Sequence, residues 1–185
     1  MSLDKNTKSS LSLLWSQDRQ AQNKAFLRIL KVTDKPVTWA YAVWDELLAN
    51  LTHKDNHNRA IAAQVLCNLA KSDPENRILK DLDALLNLTK DERFVTARHC
   101  MQALWKIGVA GVQQRKKLVA GLAERFKECR VEKNGTLIRY DILQSLLNVY
   151  TATQEERIRE KALGLIETEP ESKYRVKYAG LWRSH

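Results

Sequence analysis

The sequence predicts an all-α protein assembled from helical hairpins, on three observations. Apolar residues recur at i, i+3/i+4 and i+7/i+8 along nearly the whole chain, the spacing of helices with one buried face. Only 6 Gly and 3 Pro occur in 185 residues, so few places exist to break a helix or turn a β-hairpin. A junction motif also returns after 37 residues, about the length of two helices and their turns.

In chain order, the periodicity places helices at 11–31, 38–51, 56–71, 75–88, 92–107, 111–130, 136–150 and 154–167, followed by a short tail. The polar start MSLDKNTKSS lacks the apolar stretch of a secretory signal, and residues 1–10 are expected to be disordered or cloning-derived. One domain is expected over 11–185. The helix at 56–71 buries Ile61, Ala62, Val65, Leu66 and Leu69. Asp73 reads as the cap of the next helix, with Pro74 at its first residue, where a missing N–H does no harm. Val119, Leu122, Phe126 and Cys129 form the stripe of 111–130, and Ile138, Ile142, Leu146 and Val149 that of 136–150. Between them Asn134-Gly135 supplies a turn and Thr136 a cap. The tail, 168–185, is expected to fold back over the last hairpin, because a terminal repeat needs its open face covered. No run alternates with the period of a strand.

The stretch LTHKDNH sets His53, Asp55 and His57 two residues apart, a spacing that invites a metal. The rest of the chain argues against one. LLANLTHKD at Leu47–Asp55 returns as LLNLTKD at Leu85–Asp91 and, more weakly, as LLNVYTATQEE at Leu146–Glu156. The second copy has no histidine, so the junction works as a turn without one. Its shared chemistry is an acidic residue at a helix start, where it caps free N–H groups and faces the positive end of the helix dipole. Asp55 is therefore read as a cap, and neither a metal nor a cofactor is expected. A Gly-rich phosphate loop, HExxH and GxSxG are absent from the sequence. His53, His57, His99 and His185 face no evident nucleophile, and Cys100, adjacent to His99, projects from a different side of its helix. The chain is expected to have no enzymatic activity.

Asp55, Arg59, Ala62, Leu66 and Leu69, and less closely Asp91, Val95 and Ala103-Leu104, resemble the HEAT-repeat pattern over about Thr38–Thr168. That resemblance implies a right-handed α-α superhelix, a HEAT- or armadillo-like solenoid of about three to four hairpins. It also implies an extended surface for macromolecules, and it brings no catalytic residues. One feature fits poorly. With the helices counted as above, the third junction falls where alternation expects a break between repeats.

Charge is unevenly distributed. Of the net +9, residues 1–92 carry 13 Lys/Arg against 12 Asp/Glu, residues 93–139 carry 11 against 3, and residues 140–185 carry 7 against 7. Arg93, Arg98, Arg115, Lys116, Lys117, Arg125, Arg130 and Arg139 are the candidate contacts for phosphates or an acidic partner, although Glu124 and Glu128 dilute the segment. Trp39 is a candidate exposed aromatic, while Trp44 and Trp105 are expected in the core. HEAT-like DNA alkylation repair glycosylases are similar in composition and basic charge. This chain is shorter, and its one acidic candidate, Asp141 beside Tyr140 and Arg139, reads as a helix-surface residue. Cys67, Cys100 and Cys129 lie far apart among apolar residues, as reduced core thiols do. The run AIAAQVLCNLA falls short of the roughly 20 residues of a membrane span. A cytoplasmic protein-binding scaffold or adaptor is expected, with nucleic-acid binding through 93–139 as the alternative. No membrane contact and no small-molecule substrate are inferred.

Overall fold

The structure, a computed structural model, describes residues 3–183, so residues 1 and 2 of the expected leader and His185 lie outside it. All regular elements among the described residues are helical. The chain divides into two compact units, one ending at Cys100 and the other beginning at Met101.

The first unit contains α1 (Lys5–Leu13), α2 (Arg19–Val32), α3 (Ala40–Asn50), α4 (Asn56–Leu69), α5 (Ile78–Leu88) and the start of α6 (Phe94–Ala103). The helix expected at 11–31 is in fact two. Asp4 opens α1 by accepting from the N–H groups of Asn6 and Thr7, so the helix starts inside the segment expected to lie outside the fold. Asp18 opens α2, accepting from Gln20 and Ala21 N–H at 2.9 and 3.2 Å. Each carboxylate satisfies two of the four N–H groups that a helix start leaves free.

Asp73 also caps, but further ahead than expected. A turn containing Asn76 in the left-handed region (φ 57°) follows Pro74, α5 starts at Ile78, and Asp73 accepts from Arg77 and Ile78 N–H at 2.9 and 2.8 Å. Helix α1 packs on α2, α3 on α4, and α2 on α4. Leu14, Ile29, Trp44, Leu47, Leu66, Leu69, Leu82 and Leu85 fill the core.

The second unit contains α7 (Trp105–Ala110), α8 (Val112–Glu128), α9 (Gly135–Thr153), α10 (Glu156–Glu167) and α11 (Ser172–Leu181). Helices α7 and α8 pack on each other and on α9, which in turn packs on α10 and α11. Thr136 caps nothing, because α9 already begins at Gly135. The tail is helical. Tyr178 of α11 donates its hydroxyl to the Thr136 carbonyl at 2.8 Å, and Trp182 lies 5.8 Å from the Tyr150 ring.

The helix expected at 92–107 breaks at Leu104 into α6 and α7. That break restores the phase of the repeats. All three junction motifs now fall between the first and second helix of a hairpin: α3/α4, α5/α6 and α9/α10. With α1/α2 and α7/α8 the described residues form five hairpins, more than the three to four expected.

Candidate functional site

Three arginines bind acids that open the next second helix. Arg19 of α2 reaches Asp55 at 2.6 Å, Arg59 of α4 holds Asp91 through two bonds of 2.6 and 2.8 Å, and Arg115 of α8 reaches Glu155 at 2.7 Å. Each acid therefore stands at the start of the second helix of its own hairpin and ties it to the hairpin before. Asp55 also accepts the His57 N–H at 3.0 Å, the His57 ring lies 3.2 Å from the same carboxylate, and His53 Nδ1 accepts the Asp55 N–H at 3.0 Å. The two rings thus serve the turn. No group of three His, Cys, Asp or Glu able to hold a metal occurs among the described residues. Burial works to raise the Asp55 pKa, but bonds from Arg19 and His57 more than offset it and bring the carboxyl down to about 2.

The basic candidates have several different fates. Arg93 and Arg98 lie in the first unit and the other six in the second. Arg93, Lys116 and Arg130 are exposed, Lys117 is half-buried, and Arg98 lies over the Phe94 ring at 5.9 Å. Arg125 is 2% exposed and grips Glu132 through two bonds, at 2.5 and 2.8 Å. Arg139 is 5% exposed, bonds Glu169 and the Phe126 carbonyl, and lies over the Phe126 ring at 4.8 Å. A planar guanidinium on an apolar stem suits such enclosed carboxylates and rings. Burial leaves Arg125 and Arg139 little surface with which to meet a partner.

The aromatic residues sort likewise. Trp39 is half-buried just ahead of α3, and Trp105 is half-buried at the start of α7. Trp44 is fully buried and donates its indole N–H to Asp81 at 2.8 Å. Asp141 is 4% exposed, not a helix-surface residue, and accepts from Gln102 at 3.4 Å.

Each unit contains an open groove of about 430 Å³. In the first unit α2 contributes Asn23 and Phe26, α4 contributes Asn56 and Gln64, and α6 contributes Val95 and His99. In the second unit α8 and α10 enclose a floor of Val119, Ala120, Ala123 and Ile158, rimmed by Lys116, Arg157 and Lys161 among others. Of these rim cations the charge count finds only Lys116. Arg157 and Lys161 lie in a segment whose net charge is zero, because Glu155, Glu156 and Glu160 cancel them in sequence. Their i, i+4 spacing around Ile158 was the available signal. The uncharged amides of the first groove leave no trace in a charge count.

No known family model matches the chain, and neither does any curated protein. Among solved structures it is similar to a designed armadillo repeat protein in complex with the peptide (KR)4, at 15% identity and a TM-score of 0.55 over 96% of this chain and 80% of that one. Two engineered proteins are similar at 20% and 19% identity, with TM-scores of 0.56 and 0.54, over 96% of this chain and 77% and 79% of theirs. The fold is that of an armadillo/HEAT-like helical-repeat solenoid. No helix among the described residues is long and apolar enough to cross a membrane.

Proposed function

We propose that the protein is a non-enzymatic scaffold or adaptor that holds a partner protein by an extended segment lying in the groove of the first unit. The observation that carries this reading is the groove's lining. Asn23, Asn56 and Gln64, from two consecutive second helices, stand among the apolar surfaces of Phe26 and Val95. An extended peptide presents an N–H and a C=O at every residue, and a carboxamide can both donate and accept. A row of amides therefore binds main chain without burying a charge, and the apolar surfaces between them receive side chains. The likeness to a designed armadillo repeat protein in complex with a peptide supports the same kind of partner. Three buried free cysteines support a reducing, cytoplasmic setting. Nucleic-acid binding through 93–139 has less support, because Arg115, Arg125 and Arg139 already hold carboxylates.

The test is selection of a random peptide phage library on the immobilised full chain, followed by anisotropy with the selected peptides. Binding that falls about tenfold in Asn23→Ala/Gln64→Ala and in Phe26→Ala supports the groove. Failure to select any peptide, or selection of peptides indifferent to those changes, overturns it.

A further inference from the structure

We infer that the groove between α8 and α10 of the second unit is a separate docking site for an acidic linear segment bearing one or two large apolar side chains. The inference deepens the proposed function and rests on it.

Two independent features define the occupant. The first is the shape and chemistry of the floor. Ala120 and Ala123 lie one turn apart on α8 and leave room that larger side chains would fill, while Val119 and Ile158 add apolar surface. The resulting space, about 430 Å³, falls in the range of about 300–1,000 Å³ typical of ligand sites. An apolar side chain entering it would exchange water for hydrocarbon contact.

The second feature is the charge of the rim. Five cations line the groove, and two are already occupied: Arg115 by Glu155 at 2.7 Å and Lys127 by Glu124 at 3.2 Å. Lys116, Arg157 and Lys161 remain exposed, with no carboxylate partner among the described residues. They come from both walls, so carboxylates on either side of a docked segment would each meet a cation. From Met101 onward the chain carries 16 Lys/Arg against 10 Asp/Glu, so the surrounding field also favours an acidic visitor.

The same features disfavour nucleic acid. A phosphodiester backbone makes no use of an apolar floor, and it would run against the carboxylates of Glu124 and Glu155. An acidic peptide places its charges only where the cations stand and its apolar residues over the alanines.

The experiment uses the full chain and a fluorescein-labelled peptide of Asp and Glu interrupted by one Leu and one Phe. Comparison probes are the same peptide with Ser for Leu and Phe, the same with Lys for the acids, and a single-stranded oligodeoxynucleotide. The expected result is a Kd on the order of 10 µM for the acidic apolar peptide. Binding should weaken at least about tenfold in K116E/R157E/K161E and again in Ala120→Trp, which fills the groove without changing charge. These positions are exposed, and circular dichroism checks that each variant keeps its helices. The inference is overturned if the acidic apolar peptide does not bind, if Ala120→Trp leaves its affinity unchanged, or if the oligonucleotide binds more tightly than the peptide. Loss of this site while library-selected peptides still depend on Asn23 and Gln64 removes the second groove and leaves the proposed function standing.

Discussion

At the scale of single residues, charge in this fold is mostly structural. Asp55 illustrates it. Its carboxyl, at about 2 when folded against 3.8 ordinarily, favours the ionised form in the native state. The stabilisation is present above about pH 4, where the unfolded aspartate is also ionised, and is lost as the pH falls toward 2. Arg19 is half exposed, so solvent screens the pair and the charge contributes only about 1 kcal/mol. Asp55→Asn should cost about that much at pH 7 in urea denaturation, with the difference from the parent vanishing near pH 2. Equal losses at both pH values would mean that the cap geometry, and not the charge, is what matters.

Arg139 and Glu169 are a harsher case, because their side chains are 6% and 2% exposed. Removing one partner leaves a charge in a poorly solvated site at a cost of about 3–5 kcal/mol, whereas removing both avoids that penalty. Glu169→Gln should therefore destabilise more than Arg139→Met/Glu169→Leu, as read from urea midpoints. A Glu169→Gln variant within about 0.5 kcal/mol of the parent would remove the pair from the account of stability.

At the scale of elements, the caps of the repeated junctions were legible, whereas Asp4, Asp18 and the helix breaks were not. Asp55 and Asp91 stood out because Leu-Leu preceded each and the motif repeated. Leu13-Leu14 and Asp18 are an earlier copy, 37 residues before Asp55, but the short turn between α1 and α2 lacks the Thr and the Asn of the later ones. Periodicity therefore ran through it. The break at Leu104 left no mark of any kind, since neither Gly nor Pro nor a capping side chain stands there, and packing of α7 against α8 and α9 decides it.

Two backbone sites make this scale testable. A Cβ on Gly135 would stand 2.1 Å from the Cys129 carbonyl oxygen, a backbone atom that cannot swing aside. Gly135→Ala should cost at least about 2 kcal/mol despite the better helix propensity of alanine. Gln154 ends α9 in the left-handed region, at φ 54°, where a side chain costs about 1 kcal/mol. Gln154→Gly should accordingly raise the melting temperature by a few degrees, and a lowered one would show that the Gln154 side chain contributes more than its backbone costs.

At the scale of the whole molecule, composition and period announced stacked helical hairpins, because a repeat writes the same packing problem into the sequence several times. The grooves were much less legible. A groove draws its lining from two or three helices some 40 residues apart, and a linear charge count mixes those residues with neighbours that face elsewhere. Arg157 vanished in such a count, while Arg125 and Arg139 were promoted by it.

Repeat architecture also governs how a local defect spreads. In a chain stabilised by nearest-neighbour contacts, a perturbation should weaken its own hairpins most. The three cysteines are reporters for this. All are 0% exposed, with Cys67 and Cys100 in the first unit and Cys129 in the second, and burial pushes the thiols of Cys100 and Cys129 above their ordinary range. Native protein should therefore react with a thiol reagent only when the fold opens. Gly135→Ala, whose added methyl presses on the Cys129 carbonyl, should accelerate labelling at Cys129 at least about tenfold more than at Cys67, as resolved by peptide mass mapping. Equal acceleration at both cysteines would instead mean that the chain opens as a single cooperative block, in which no hairpin fails alone.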